Sequence, residues 1–271
     1  MSVISTIRRA LPAPIRARLR RSRFVNSVLQ WKYGGDQSKP HPYGNFQFHF
    51  DGMKDIGWTL GNLDQTEPEE LRFALRLIQE RQCRCVWDVG ANIGFWSLAF
   101  CGQADGAAEV HAFEPDAANL RLLKRNRDAN AIKTLHVHEI GLSSAPARLR
   151  FYSDPMTGKT GSLESGNDFI GTHYNAARVP VEIDVSSIDA QVQGGLAPPG
   201  FIKIDVEGHE FDVLSGGRET LARHRPAMVI EVSSRQAEVQ ELLRELDYKL
   251  VSPATGQELE HPEFSTGAIP R

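Results

Sequence analysis

Cysteine is scarce in this chain: 271 residues hold three, Cys83, Cys85 and Cys101. An odd, clustered set argues against a disulfide framework and points to a reducing compartment. Cys83 and Cys85 enclose a single residue, poor spacing for a zinc pair, so no metal site is expected. No apolar run approaches the ~20 residues that span a bilayer. Acidic residues are missing from positions 1–35, which carry Arg8, Arg9, Arg16, Arg18, Arg20, Arg21, Arg23 and Lys32. The whole chain sums to −3, so the remainder holds −11. A basic arm on an acidic body is not the charge pattern of a general nucleic-acid binder, and no nucleic-acid partner is expected.

Pro12 and Pro14 interrupt any helix in the first half of the arm; from Ile15 onward a helix is expected. Such a segment suits a solvated helix resting on the body, a peripheral anchor on an anionic membrane, or an organelle-targeting peptide. Its arginines break up every apolar run, which argues against a secretory signal. The expected location is cytoplasmic, with membrane contact open to the arm. The expected division is an arm over 1–35 and one domain over 36–271, with a core at about 66–250.

Within that body, 34–44 reads as a Gly/Pro-containing linker and 46–50 as a strand of period two. Thr66 and Glu69 have capping-box spacing, and Pro68 suits a first helical turn, so a helix is predicted to about Gln82. Strands are predicted at 85–89, 109–113, 134–139, 147–153, 179–185, 201–206 and 227–232, and a final strand or hairpin from Tyr248. Helices are predicted at 94–102, 116–129, 210–224 and 235–246. Residues 153–178, rich in Gly, Ser, Thr and Asn, read as a loop over a site. Gly158-Lys159-Thr160 within it is not a phosphate-binding loop, because the glycine required five residues earlier is Ser153. The alternation implies an α/β fold, a mostly parallel twisted sheet with helices on both faces.

The most informative stretch is Val86-Trp-Asp-Val-Gly-Ala-Asn-Ile-Gly94. It reads as a buried strand running through a glycine turn into a helix, where an α/β protein binds nucleosides. Here too an absence is telling. The dinucleotide fingerprint G-x-G-x-x-G needs glycines at 92 and 95, and the chain has Asn92 and Phe95. Without the glycine that admits a pyrophosphate, the turn suits a nucleoside lacking phosphates. Glu114, ending the next predicted strand, is placed to accept hydrogen bonds from both ribose hydroxyls. S-adenosylmethionine fits this combination; an ordinary glycine turn explains the first motif alone equally well.

The second constellation is Phe201-Ile-Lys-Ile-Asp-Val-Glu-Gly-His-Glu210. Alternation along a strand puts Lys203 and Asp205 on one face, and a lysine in a covered parallel strand must be paired. Glu207 and His209 then lie in the turn at the carboxyl edge, where ligands bind. A structural ion pair accounts for Lys203 and Asp205, helix-dipole stabilisation for Glu210, and a surface turn for His209, without any chemistry.

In this order and spacing, Asp88-Val-Gly-Ala-Asn-Ile-Gly94, Phe113-Glu-Pro115 and Lys203-Ile-Asp-Val-Glu-Gly-His-Glu210 resemble the FkbM-type S-adenosylmethionine-dependent methyltransferases. The resemblance covers roughly residues 66–250 and omits the arm. It implies the Rossmann-like class I methyltransferase fold. It also implies O-methylation of a hydroxyl on a sugar, glycolipid or polyketide-type molecule.

On this reading the cofactor residues are Asp88, Gly90, Ala91, Asn92, Gly94, Glu114, Ile140 and Gly141. Asp88 is expected to set the turn and meet the cofactor's amino group. The adenine is expected near Ile140, Gly141 and Leu142. Asp205, Glu207, His209 and Glu231 are the catalytic candidates, with Glu207 or His209 touching the acceptor hydroxyl and Asp205 nearer the cofactor's methionine end. Two rival readings are a nicotinamide-dependent oxidoreductase or epimerase and a non-catalytic binding module keeping the fold. The first lacks the phosphate-admitting glycine and a Tyr-x-x-x-Lys pair; the second leaves the intact acidic cluster unexplained.

Overall fold

A computed structural model describes residues 41–50, 67–103, 108–153, 162–163 and 179–271. The basic arm, the turn at 51–52, Thr66 and most of the 153–178 loop lie outside the described residues. A seven-stranded sheet organises the rest. Five parallel strands form its centre: β5 (Leu135–His138), β4 (Glu109–Phe113), β3 (Cys85–Val89), β10 (Phe201–Ile204) and β11 (Ala227–Glu231). Beyond β11, β13 (Ser265–Pro270) inserts antiparallel before the outer strand β12 (Tyr248–Val251).

Every residue of β3 is buried, as expected of a parallel strand covered on both faces. One face packs Val86, Val110, Phe201 and Val229 under α1 (Pro68–Glu80), α2 (Phe95–Gln103) and α3 (Ala117–Ala129). The other packs Trp87, Phe113, Ile202 and Ile230 against α4 (Ile188–Gln193), α5 (Glu210–Ser215), α6 (Arg218–His224) and α7 (Gln236–Glu245). From β3 the chain builds outward to β4 and β5, then returns to place β10 on the other side of β3. That reversal opens a crevice at the carboxyl ends of β3 and β10.

Several expectations need correction. Residues 147–153 and 179–185 do not join the main sheet. They are β7 (Ala147–Ser153) and β9 (Val179–Ser186), which pair antiparallel and, with β6 (Gly141–Leu142) and β8 (Ser162–Leu163), make a second sheet of order β6-β9-β7-β8. The reason is in their alternation. Leu149, Phe151, Ile183 and Val185 form one small apolar cluster. Arg148 and Arg150 meet Asp184 and Glu182 across an exposed face, at 3.8 and 3.9 Å. One apolar and one charged face suit a half-exposed antiparallel pair, not a central parallel strand.

The helix predicted over 210–224 is two helices, broken at Gly216-Gly217. A Cβ on Gly216 would lie 2.2 Å from the Ser143 carbonyl oxygen, so this glycine lets the helical layer touch the chain just after β6 of the second sheet. The predicted linker contains β1 (His41–Tyr43), which forms a hairpin with β2 (Phe46–Phe48). Buried Asn126 of α3 pins that hairpin through both backbone groups of His49, at 2.6 and 3.0 Å, and also holds the Ile93 carbonyl at 2.8 Å. The capping-box expectation falls on Thr66, outside the described residues; Glu67 takes the cap position of α1, with φ 47°, and its carboxylate accepts from the Trp96 indole at 2.7 Å. Among the described residues no helix is long and apolar enough to cross a membrane.

Candidate active site

The turn after β3 is shaped by two backbone bonds. The amides of Gly90 and Ala91 both donate to the Phe113 carbonyl at 3.0 Å, which ties the first glycine turn to the end of β4. Gly90 has φ +79° and Asn92 φ +53°. Glu114 follows Phe113 directly and is nearly completely buried. Its Oε2 accepts from the Asn92 amide and its Oε1 from the Asp116 amide, both at 2.8 Å, with the Asn119 amide nitrogen at 3.5 Å. Burial pushes the carboxyl up to about 7, against the opposing pull of the Asp116 and Asn92 amides. A carboxylate offers about four lone pairs, so lone-pair capacity remains beyond these contacts.

A cavity opens over this junction. Gly90, Asn92, Glu114, Gly141, Asp205, Glu207 and His209 line it, as the sequence places them. Phe113, Pro115, Asn119, Leu142 and Val206 complete that wall. Phe151 and Ile183 reach it from the second sheet. Nothing in the sequence pairs those two with the motifs; the period-two alternation of β7 and β9 is the only signal that they share an apolar face.

Five of the expected site residues do not line the cavity. Asp88 is fully buried within the sheet. Its Oδ2 accepts from the Ser97 hydroxyl at 2.5 Å and its Oδ1 faces the Lys203 ammonium at 3.9 Å, which holds it beneath the turn. Ala91 is turned into the core. Gly94 abuts Leu123 of α3: a Cβ there would meet the Leu123 Cδ1 at 2.6 Å. Ile140 packs against the lower hydrophobic cluster. Glu231 ends β11 opposite Ser265 and is not among the residues lining the cavity. Its carboxyl is pushed up to about 9, first by burial and then by the Asp205 charge, with Lys203 pulling the other way.

Lys203 is the buried hub between these groups. Its Nζ lies 3.0 Å from Asp205 Oδ2 and 3.5 Å from the Gly90 carbonyl, and it sits 5.7 Å from the Trp96 ring centre. Burial alone would favour the neutral amine, but Asp205 and then Asp88 outweigh it and raise the lysine above its ordinary value. The expected pairing of Lys203 with Asp205 is therefore present, with Asp88 as a second acid. Removing the cation leaves buried carboxylates uncompensated. Lys203→Met should cost about 3–5 kcal/mol in denaturant-induced unfolding; an unshifted midpoint would show that the lysine is dispensable.

The turn from Glu207 to Glu210 is strained and held. Glu207 has φ +51° and Gly208 φ +100°. Completely buried Glu210 accepts from the Gly208 amide at 2.7 Å and the Ser233 hydroxyl at 3.0 Å, while the Ser234 hydroxyl donates to the Gly208 carbonyl at 2.8 Å. Left-handed geometry in a non-glycine residue persists only where its surroundings impose it, and it is commonest at functional sites.

An α/β sheet with this order, a glycine turn and a strand-end carboxylate facing one cavity define the class I methyltransferase fold. Residues 88–255 match the methyltransferase FkbM domain, and the chain belongs to that family. Among curated relatives, it is 32% identical over 171 residues to the hexuronic acid methyltransferase AglP of Haloferax volcanii, covering 63% of each chain. It is 26% identical over 149 residues to the 2-O-methyltransferase NoeI of Sinorhizobium fredii, covering 52% of this chain and 60% of that one. The chain thus spans about three-fifths of the length of these two relatives. The crystal structure of the FkbM methyltransferase from Methylobacillus flagellatus aligns with 69% of this chain and 43% of its own, at 24% identity and a TM-score of 0.45.

Proposed function

We propose that this protein transfers a methyl group from S-adenosylmethionine to a hydroxyl oxygen of a small molecule: a sugar, a glycolipid or a polyketide-type compound. One observation carries the reading. Glu114 and the Gly90–Asn92 turn face the same cavity, joined by the bond from the Asn92 amide to Glu114, in a chain of the FkbM family. Glu114 would take the ribose diol, Gly90 and Asn92 would shape the approach to it, and Gly141 with Leu142 would flank the adenine. Asp205, held by Lys203, lies towards the methionine end. When bound, the cofactor supplies the activated methyl; the protein supplies orientation, water exclusion and a proton acceptor.

The names of AglP and NoeI favour a sugar-borne hydroxyl as acceptor. A nicotinamide dinucleotide is disfavoured because Asn92, with its amide committed to Glu114, stands where a pyrophosphate would need a glycine. A purely binding role leaves the acidic cluster at the cavity edge, Asp205 and Glu207, unexplained. The domain reading is one catalytic body over 36–271, with the arm at 1–35 as a cytoplasmic extension able to touch an anionic membrane. No metal is required on this reading.

Calorimetry with S-adenosylmethionine should give one site per chain. Tritiated methyl should then pass to material in a crude glycan or lipid extract. Glu207→Gln should lower that transfer by about 100-fold while leaving cofactor affinity within a few-fold, as for loss of a group that orients the acceptor hydroxyl at the reacting end. Absence of cofactor binding would end the proposal.

A further inference from the structure

Four ionisable groups are candidates at this edge: Glu207 lines the cavity from its left-handed turn, where it can orient the acceptor hydroxyl, and the surroundings of the other three differ. Asp205 is committed to the Lys203 ammonium at 3.0 Å. Glu231 is not part of the cavity lining, and burial pushes its carboxyl up. His209 lies on the cavity wall with both ring nitrogens engaged. Its Nε2 is 2.9 Å from the Ser143 hydroxyl, and its Nδ1 is 3.3 Å from Asp212 Oδ2. A carboxylate can only accept, so the Asp212 contact favours the tautomer with hydrogen on Nδ1. In that tautomer Nε2 holds the lone pair, and the Ser143 hydroxyl is the donor of the pair. Asp212 is itself held: Arg235 Nη1 reaches the same oxygen at 3.1 Å, while Arg235 pairs with Glu238 and lies 3.9 Å over the Phe211 ring. Burial, aided by Arg235 and opposed by Asp212, keeps the imidazole below its ordinary pKa.

We propose that Asp212 and Ser143 are positioning residues that present His209 as the cavity's proton acceptor, with hydrogen on Nδ1 and the Nε2 lone pair reserved for a hydroxyl. The proposal rests on the methyltransferase reading and names the base within it. In the step, the acceptor oxygen forms a bond to the methyl carbon. The carbon–sulfur bond breaks and leaves its electron pair on sulfur. The hydroxyl proton passes to Nε2 as the Ser143 hydroxyl turns aside. The resulting imidazolium is stabilised by Asp212, an orienting carboxylate on the far nitrogen being a recurrent device in histidine catalysis. The side chain of Asp212 is 26% exposed, so the proton has a route to water after turnover.

The test is nitrogen-15 spectroscopy of the histidine-labelled full chain between pH 5 and 9, with and without saturating sinefungin, an analogue with an amine in place of the methyl sulfonium. His209→Gln assigns the signals. The expected wild-type result is a neutral ring at pH 7 protonated on Nδ1, with an Nε2 signal that moves when sinefungin binds. Asp212→Asn should shift the tautomer population towards Nε2–H, and Asp212→Glu should restore Nδ1–H. Ser143→Ala should move the Nε2 signal alone. Tritiated methyl transfer should fall by about 100-fold or more in Asp212→Asn, with the sinefungin dissociation constant within threefold. A wild-type ring protonated on Nε2, an Asp212→Asn tautomer identical to wild type, or an Nε2 signal indifferent to bound sinefungin would each overturn the proposal. Sinefungin failing to bind at all would instead overturn the methyltransferase reading, while the tautomer results would still decide what Asp212 does to His209.

Discussion

Glu114→Ala is expected to raise the dissociation constant for S-adenosylmethionine by at least about 100-fold. Hydrogen bonds to a charged group are worth about 1.5–3 kcal/mol each, and the proposed ribose diol makes two, so the loss is about 3–6 kcal/mol. The substitution also releases the Asn92 and Asp116 amides, which converge on the same carboxylate at 2.8 Å. Glu114→Gln keeps the volume and one acceptor oxygen, so its effect should be intermediate.

The same residue sets a pH dependence. Burial raises its carboxyl to about 7 in the ligand-free protein. Two donating hydroxyls favour the ionised form, so cofactor binding should lower that value and release a proton. Affinity should be full well above pH 7 and weaken by up to about tenfold per pH unit below it. Stability runs the opposite way. Between the ordinary carboxyl range and about 7, the folded state binds more protons than the unfolded one, so this group's contribution falls as pH rises through that window. Calorimetry in buffers of differing ionisation enthalpy counts the proton. A pH-independent affinity with an unchanged constant in Glu114→Ala would remove Glu114 from the site.

Gly90→Ala is expected to damage both the fold and the site. An alanine there would keep φ near +79° and place its Cβ 1.8 Å from the Asp205 carbonyl oxygen. The left-handed backbone costs about 1–2 kcal/mol and overpacking about 1–3 more, for a total of about 2–5 kcal/mol. The obstructing atom is backbone and cannot rotate away. The relief available is separation of β3 from β10, which displaces Asp205 relative to Glu114. Thermal unfolding should therefore fall by several degrees, with cofactor affinity lost in parallel. Gly195 supplies the control: it has φ +101° with nothing within 4 Å of an added Cβ, so Gly195→Ala carries the backbone cost alone. Equal destabilisation by the two substitutions would show that close approach at Gly90 is not tight.

Much of the frame is legible without coordinates. β3 and β4 fall on the predicted bounds because Gly90 and Glu114 end their apolar runs, and β7 does so because its period-two alternation stops at Asp154-Pro155. The glycine turn and Glu114 are legible for the same reason: chain direction alone puts them at the carboxyl edge of adjacent parallel strands. Asp88 shows where such reasoning stops. Its neighbours in sequence suggest a ligand contact, yet it is fully buried and shared between Ser97 and Lys203. Pro68 was a sound marker for the start of α1, while the cap one residue before it depended on Trp96 reaching back to Glu67.

The amino-acid sequence by itself determined the local geometry: where strands end, where the backbone must turn left-handed, and which side chains share a strand face. Short-range sterics and period-two alternation decide those matters within a few residues. Tertiary structure alone decided the company each group keeps. Ser143 meets His209 across 66 positions, Phe151 and Ile183 reach the cavity from a separate sheet, and Lys203 is divided between acids of two strands. Those contacts follow from strand order and register, which only the packing of distant segments sets, and the cavity's chemistry is made of them.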